Sequence, residues 1–129
     1  MVHAVAVLVV TPKGIPLVKD PKKRQPLFWK LPGGRGDKTE TAEEAAVREL
    51  KEEIGISLNK KDLKIIYQKD RGTHILTIFR ADLSFLPKLK QQGDEGEEIG
   101  IFSPQEILPM PDFFPNHLKI IKEQLKTIL

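Results

Sequence analysis

Hydrophobic and polar positions along this chain fall into short, well-separated blocks. Residues 2–10 (VHAVAVLVV) are almost continuously apolar and rich in valine, the composition of a buried strand. A Thr11-Pro12-Lys13-Gly14 turn follows, and Ile15–Lys19 is placed to pair back as a hairpin. A basic, proline-bounded loop, Asp20–Pro26, leads to the apolar run Leu27–Leu31, which stops at Pro32-Gly33-Gly34. Thr41–Ile54 has the composition and caps of a helix. Thr41 with Glu44 three residues on is a capping box, and Gly55 stands where a left-handed stop belongs. Leu63–Gln68 and Thr73–Leu83 read as strands around a turn at Lys69–Gly72, the second apolar on both faces as a central strand is. Pro87–Gly96 is a polar loop and Ile99–Phe102 a last short strand. Ser103-Pro104-Gln105-Glu106 opens a one-turn helix, and residues 116–129 form an amphipathic helix with Leu118, Ile121, Leu125 and Ile128 on one side. Strands mixed with two main helices on one core predict a layered α/β or α+β architecture in a single domain over residues 1–129.

Composition narrows the chemistry. The 129 residues contain no cysteine, which excludes disulfides, thiolate metal sites and thiol nucleophiles. Three scattered histidines (His3, His74, His117) make a poor histidine metal site. The apolar N-terminal run lacks a basic flank and enters a turn, so a strand is expected rather than a signal peptide or membrane span, and a cytoplasmic protein is the default. The formal net charge of +3 suggests a weakly basic protein, but it averages over an uneven distribution. Residues 40–53 hold six Glu against Arg48 and Lys51, and residues 94–98 hold four acids and no base. What remains of the chain is strongly basic.

The first acidic cluster lies on the predicted helix. At 100° per residue, with Glu49 at zero, Glu53 falls at about +40° and Glu52 at about −60°. Ala42, Ala45 and Ala46 share that face, which suggests room beside the carboxylates, while Val47, Leu50 and Ile54 form a separate apolar stripe for the core. Like charges on adjacent turns cost about 0.2–0.5 kcal/mol per pair. Acids in the C-terminal half of a helix also oppose its dipole. Hard divalent cations give a reason to accept both costs, since Mg²⁺ takes oxygen ligands and shares its remaining positions with phosphates. A solvated acidic face is the plain alternative, and periodicity alone does not decide between them.

The segment before the helix does. From Gly34 through Glu40 to Arg48-Glu49-Leu50-Lys51-Glu52-Glu53-Ile54-Gly55-Ile56, the chain resembles the Nudix box, G-x5-E-x7-R-E-U-x-E-E-x-G-U with U aliphatic. Every specified position is filled, and at ordinary residue frequencies a chance match occurs about once in 10⁹ start positions. The resemblance implies an α/β/α sandwich around a mixed sheet. It also implies a Mg²⁺- or Mn²⁺-dependent hydrolase of nucleoside diphosphates linked to another group: a nucleoside triphosphate, nucleotide sugar or dinucleotide polyphosphate. Glu49, Glu52 and Glu53 map onto the family's metal-binding glutamates and the Gly33 carbonyl onto a frequent backbone ligand. Arg48 and Glu40 map onto a pair that orients the box. Several family members carry the general base on a loop matching the second acidic cluster. Here Glu97 and Glu98 are the candidates, Glu98 preferred, beside Glu52 or Glu53 from the box itself. A solvated loop is the alternative for that cluster.

Other residues attract weaker expectations. Lys22, Lys23 and Arg24 are placed to steer a polyphosphate, with solvation the plainer reading. Trp29 and Phe28 are expected to pack beside the glycine turn rather than stack on a base, and His74 and Arg80 are lesser substrate candidates. The expected partner is a small nucleotide, not a membrane, and a nucleic acid is disfavoured; the chain is expected as a monomer or homodimer. The rival to an enzyme is a non-catalytic Nudix-fold domain that senses a nucleotide. Such proteins often lose box glutamates, which this chain keeps.

Overall fold

The computed structural model describes residues 2–19 and 27–128. Strand β1 (Val2–Val10) lies at the centre of a four-stranded mixed sheet. It runs parallel to β5 (His74–Asp82) over its whole length and antiparallel to β3 (Gly33–Arg35). Strand β4 (Lys64–Asp70) completes the sheet antiparallel to β5, giving the order β3-β1-β5-β4. Thus β5 is the central strand its two apolar faces predict.

The expected hairpin forms only at its turn. Thr11 and Gly14 exchange backbone hydrogen bonds of 3.2 and 3.1 Å, and the Thr11 hydroxyl donates to the Gly14 carbonyl at 2.8 Å. Strand β2 (Ile15–Lys19) then leaves β1 and pairs antiparallel with β6 (Glu98–Phe102) as a separate two-stranded sheet. One edge of β1 is filled by β5 along its whole length and the other by β3 at Ala4–Ala6, while β2 turns away to β6 and to Lys30, with which Val18 exchanges backbone hydrogen bonds of 2.9 Å.

Period-two alternation along β1 feeds two cores. Val5, Val7 and Val9, with Phe79 and Ala81 of β5, pack against helix α1 (Ala42–Ile54). Ala6 and Leu8, with Ile78, face the other way onto Ile121 and Leu125 of helix α3 (Pro115–Ile128), joined by Trp29 and Phe113. Ahead of α3 in the chain, α2 (Pro104–Ile107) is the single turn that the Ser103 capping box opens, with Ile107 buried in the second core. A sheet with a helix layer on each face is the α/β/α sandwich.

The alanines of α1 behave differently from the helical-wheel expectation. Ala42, Ala45 and Ala46 are buried in the core, whereas Val47 is only partly covered. They do not leave room for a ligand. They let the helix lie close on β1 and β3, so close that a Cβ added at Gly36 would stand 2.9 Å from the Ala45 methyl. This approach brings Glu49 and Glu53 against the glycine strand.

Candidate metal and active site

Helix α1 begins and ends as its caps dictate. Thr41 accepts from the Glu44 backbone N–H and Glu44 answers to that of Thr41, while Gly55 takes the left-handed conformation (φ 81°). Along its outer face, Arg48 ties three carboxylates together. Its guanidinium donates to Glu40 at 2.7 and 2.9 Å, to Glu52 at 2.9 and 3.1 Å and to Glu49 at 3.2 Å, and also reaches the Arg35 carbonyl at 3.2 Å. The hydrogen bonds from Arg48 are the main reason Glu40 titrates below the usual carboxylate range; the reciprocal bonds raise Arg48 further above its already high value. A fork of N–H donors shared in this way fixes orientation as well as charge.

On the sheet side the carboxylates lose water. Glu49 lies against Gly34, where an added Cβ would fall 2.6 Å from its carboxyl carbon. At Gly33 a Cβ would come within 2.0 Å of the Val5 carbonyl oxygen, so only glycine fits. The Gly33 N–H donates to Glu53 Oε1 at 2.5 Å. Glu53 itself is 7% exposed. Burial, opposed by that hydrogen bond and helped by the nearby Glu49 charge, pushes its pKa up to about 8. Burial raises Glu49 as well, against the pull of Arg48. Carboxylates destabilised as anions in this way await a positive charge.

The second acidic cluster joins the first. The loop between β5 and β6 folds over the end of α1, where the backbone N–H groups of Lys90 and Asp94 bind the carbonyls of Ile54 and Glu52 at 3.1 and 3.3 Å. Glu97 is thereby buried (4% exposed), its Oε1 accepting the Glu95 N–H at 2.9 Å. One cavity of about 450 Å³ is lined by Glu49, Glu52 and Glu53, by Asp94, Glu95 and Glu97, and by Gly33 and Gly34. Lys30, Arg35 and Arg48 are the bases on its wall.

The expected site residues therefore separate. Gly33, Arg48, Glu49, Glu52, Glu53 and Glu97 line this cavity, and Glu98 does not. Strand alternation turns Glu98 away: it opens β6 in register with Lys19 and is exposed to solvent. The preference for Glu98 over Glu97 thus falls on the wrong member of the pair for this cavity. Lys22, Lys23 and Arg24 lie outside the described residues. Trp29 packs, edge to face, on Phe102 with 4.9 Å between centroids, and Phe28 lies 6.0 Å from Phe114. Arg80 is engaged with Asp82 and, at 2.8 Å, with Gln124 of α3. His74 contacts its neighbour Thr73. Lys30 and Arg35 were not singled out by sequence reasoning; their signal is nearness to the glycine pair, Arg35 directly after it and Lys30 three residues before.

The donor set suits a hard divalent cation: carboxylate oxygens, a glycine backbone held near them, and a cavity whose acids outnumber its bases. As they stand, no three acidic or histidine side chains among the described residues converge closely enough to ligate one ion. Arg48 holds Glu52 and Glu49, and the Gly33 N–H holds Glu53. The fit rests on the chemistry of the donors and on the buried, charge-averse Glu53.

The family model for the NUDIX domain matches residues 2–124. An ADP-ribose pyrophosphatase of Methanocaldococcus jannaschii is 33% identical over 99 residues, covering 74% of this chain and 56% of that protein. An 8-oxo-dGTP diphosphatase of Proteus vulgaris is 52% identical over 33 residues, 26% of this chain and 30% of that protein. The chain thus spans about half the length of the first relative and less of the second. A solved MutT structure from work on Aliivibrio salmonicida and Vibrio cholerae superposes with a TM-score of 0.79 at 25% identity, over 99% of this chain and 98% of that one. Among the described residues no helix is long and apolar enough to cross a membrane. With the family model spanning nearly every residue, this chain belongs to the NUDIX family.

Proposed function

We propose that this protein is a divalent-cation-dependent hydrolase of phosphoric anhydride bonds, acting on a nucleoside diphosphate linked to a further group. One observation carries the reading: Glu53, a buried acid pushed up to about 8, lines the same cavity as Glu49, Glu52 and Glu97. Glu49, Glu52, Glu53 and the Gly33 carbonyl are the groups that would hold Mg²⁺ or Mn²⁺. Bound there, the cation supplies neutralisation of diphosphate charge and a more acidic water.

The chain's own residues do the rest. Glu40 fixes Arg48, and Arg48 fixes Glu52, so the carboxylate keeps one orientation through turnover. Lys30 and Arg35 offer positive charge to phosphate oxygens entering the cavity. Glu97 is the general base in this reading. It comes from the loop rather than the helix, Arg48 does not bind it, and only one of its oxygens is hydrogen-bonded among the described residues. Its second oxygen takes the proton of the attacking water as the anhydride oxygen leaves with the other phosphate.

The names of the relatives supply the first substrates to test, ADP-ribose and 8-oxo-dGTP, beside nucleoside triphosphates and dinucleotide polyphosphates. The experiment is that panel with Mg²⁺, following phosphate, pyrophosphate and nucleotide products. Release of a nucleoside monophosphate from at least one member supports the reading. Tight binding of a nucleotide with no cleavage of any would favour the sensor instead. For the base, Glu97→Gln is expected to slow turnover about 10²-fold or more and Glu98→Gln to leave it unchanged.

A further inference from the structure

Helix α1 ends under a loop, and one lysine makes much of the joint. Lys90 donates its backbone N–H to the Ile54 carbonyl at 3.1 Å and its ammonium to the Glu52 carbonyl at 2.9 Å, and it pairs with Asp94. Asp94 returns its own backbone N–H to the same Glu52 carbonyl. These are last-turn carbonyls that a helix leaves without partners, and the ammonium meets the negative end of the helix dipole. The lysine stem lies on Gly55, where an added Cβ would be 2.9 Å from Lys90 Cγ.

The joint continues into the cavity. The Gly93 N–H binds the Glu97 carbonyl at 3.0 Å, and a Cβ at Gly93 would stand 2.5 Å from Glu97 Oε1 and 3.0 Å from the Glu53 carbonyl oxygen. The turn that buries Glu97 therefore rests on the helix that carries Glu52 and Glu53, and Lys90 and Asp94 attach it there.

We infer that Lys90 is a positioning residue, which staples the loop over residues 87–97 to the end of α1 and so holds Glu97 at the cavity of the box glutamates. The inference rests on the proposed function for what Glu97 does there. It differs from a plain electrostatic role in sign. Removing a positive charge near an acidic cavity should tighten cation binding; releasing Glu97, which is not among the proposed ligands but whose negative charge lines the cavity, should weaken it.

The test uses the full chain with Mn²⁺ alone, by calorimetric titration, together with backbone amide exchange. Lys90→Met is expected to weaken Mn²⁺ binding about tenfold, the low end of the scale for groups beside a metal that do not themselves ligate it. It should also speed exchange of the Gly93, Asp94 and Glu95 amides while Ala45–Leu50 stay protected. Lys90→Arg, which keeps charge and donors, should restore most of both. In a Glu97→Gln background, Lys90→Met should cost no further affinity. Unchanged exchange in the loop, tighter Mn²⁺ binding by Lys90→Met, or a full tenfold loss persisting without Glu97 would each overturn the inference. A wild type that binds no Mn²⁺ would overturn the functional reading instead, and the exchange result would still judge the staple.

Discussion

Glu53 should make the cation-free protein less stable than it need be, and Glu53→Gln exposes this. The pKa of Glu53 stands at about 8 in the folded chain against an ordinary 4.5. A raised folded value means the group's contribution is fully present below pH 4.5 and is lost as pH rises through 8. At pH 7 the folded side chain is still largely protonated while the unfolded one has ionised, so folding there is opposed by about 3 kcal/mol, falling to less than about 1 kcal/mol at pH 5. Glutamine resembles the neutral acid in size, and its amide oxygen can still accept the Gly33 N–H. The variant should therefore recover most of that difference. For a chain of this length about 3 kcal/mol corresponds to a rise in Tm of about 10 °C. The assay is thermal unfolding in chelator at pH 5 and pH 7, then at pH 7 with excess Mg²⁺. Wild type should trail the variant clearly at pH 7 in chelator and nearly match it at pH 5. Mg²⁺ should raise wild type far more than the variant, because only wild type binds it well. A variant no more stable than wild type at pH 7, or offset equally at both pH values, would refute the reasoning.

Other consequences follow from the same geometry. Arg48→Lys keeps the charge but cannot serve Glu40, Glu49 and Glu52 together, so kcat should fall about 10–100-fold with the fold retained by circular dichroism. Gly34→Ala drives a methyl into the Glu49 carboxylate, and calorimetry should show Mg²⁺ affinity lowered by about tenfold. His117 works in the opposite pH direction from Glu53. Burial, with the Lys30 charge, lowers its pKa to about 4 from 6.5, and its Nδ1 accepts the Leu31 N–H at 3.4 Å. The neutral ring stabilises fully above pH 6.5, and about 3 kcal/mol is lost as pH falls to 4. His117→Gln should consequently gain on wild type in Tm across that window and show no such trend above pH 7.

Local signals were legible where one short segment decides its own structure. Thr41, Glu44 and Gly55 set both ends of α1, Ser103 and Pro104 opened α2, and the two-sided apolar run of β5 made it central. The box glutamates could be placed on one face because a helix has a fixed period. Tertiary competition was not legible. The partner of β2 is β6, far along the chain, and no residue in 11–19 carries that information. Ala42, Ala45 and Ala46 look like empty space on a wheel, yet the same small side chains serve close packing on a sheet. Which of Glu97 and Glu98 lines the cavity turned on the register at which β6 begins, a boundary one residue wide. Lys90 gave no sequence signal at all, because its partners are backbone carbonyls 36 and 38 positions away.

The most direct measurement is the rate of anhydride cleavage with saturating Mg²⁺ by wild type and by Glu53→Gln, on the same preparations whose folding has been checked by Tm. The box carboxylates, if they carry the chemistry, require cleavage of a nucleoside diphosphate derivative by wild type and a loss of at least about 10²-fold in a variant that is equally or more stable. Undiminished cleavage by that variant would contradict them.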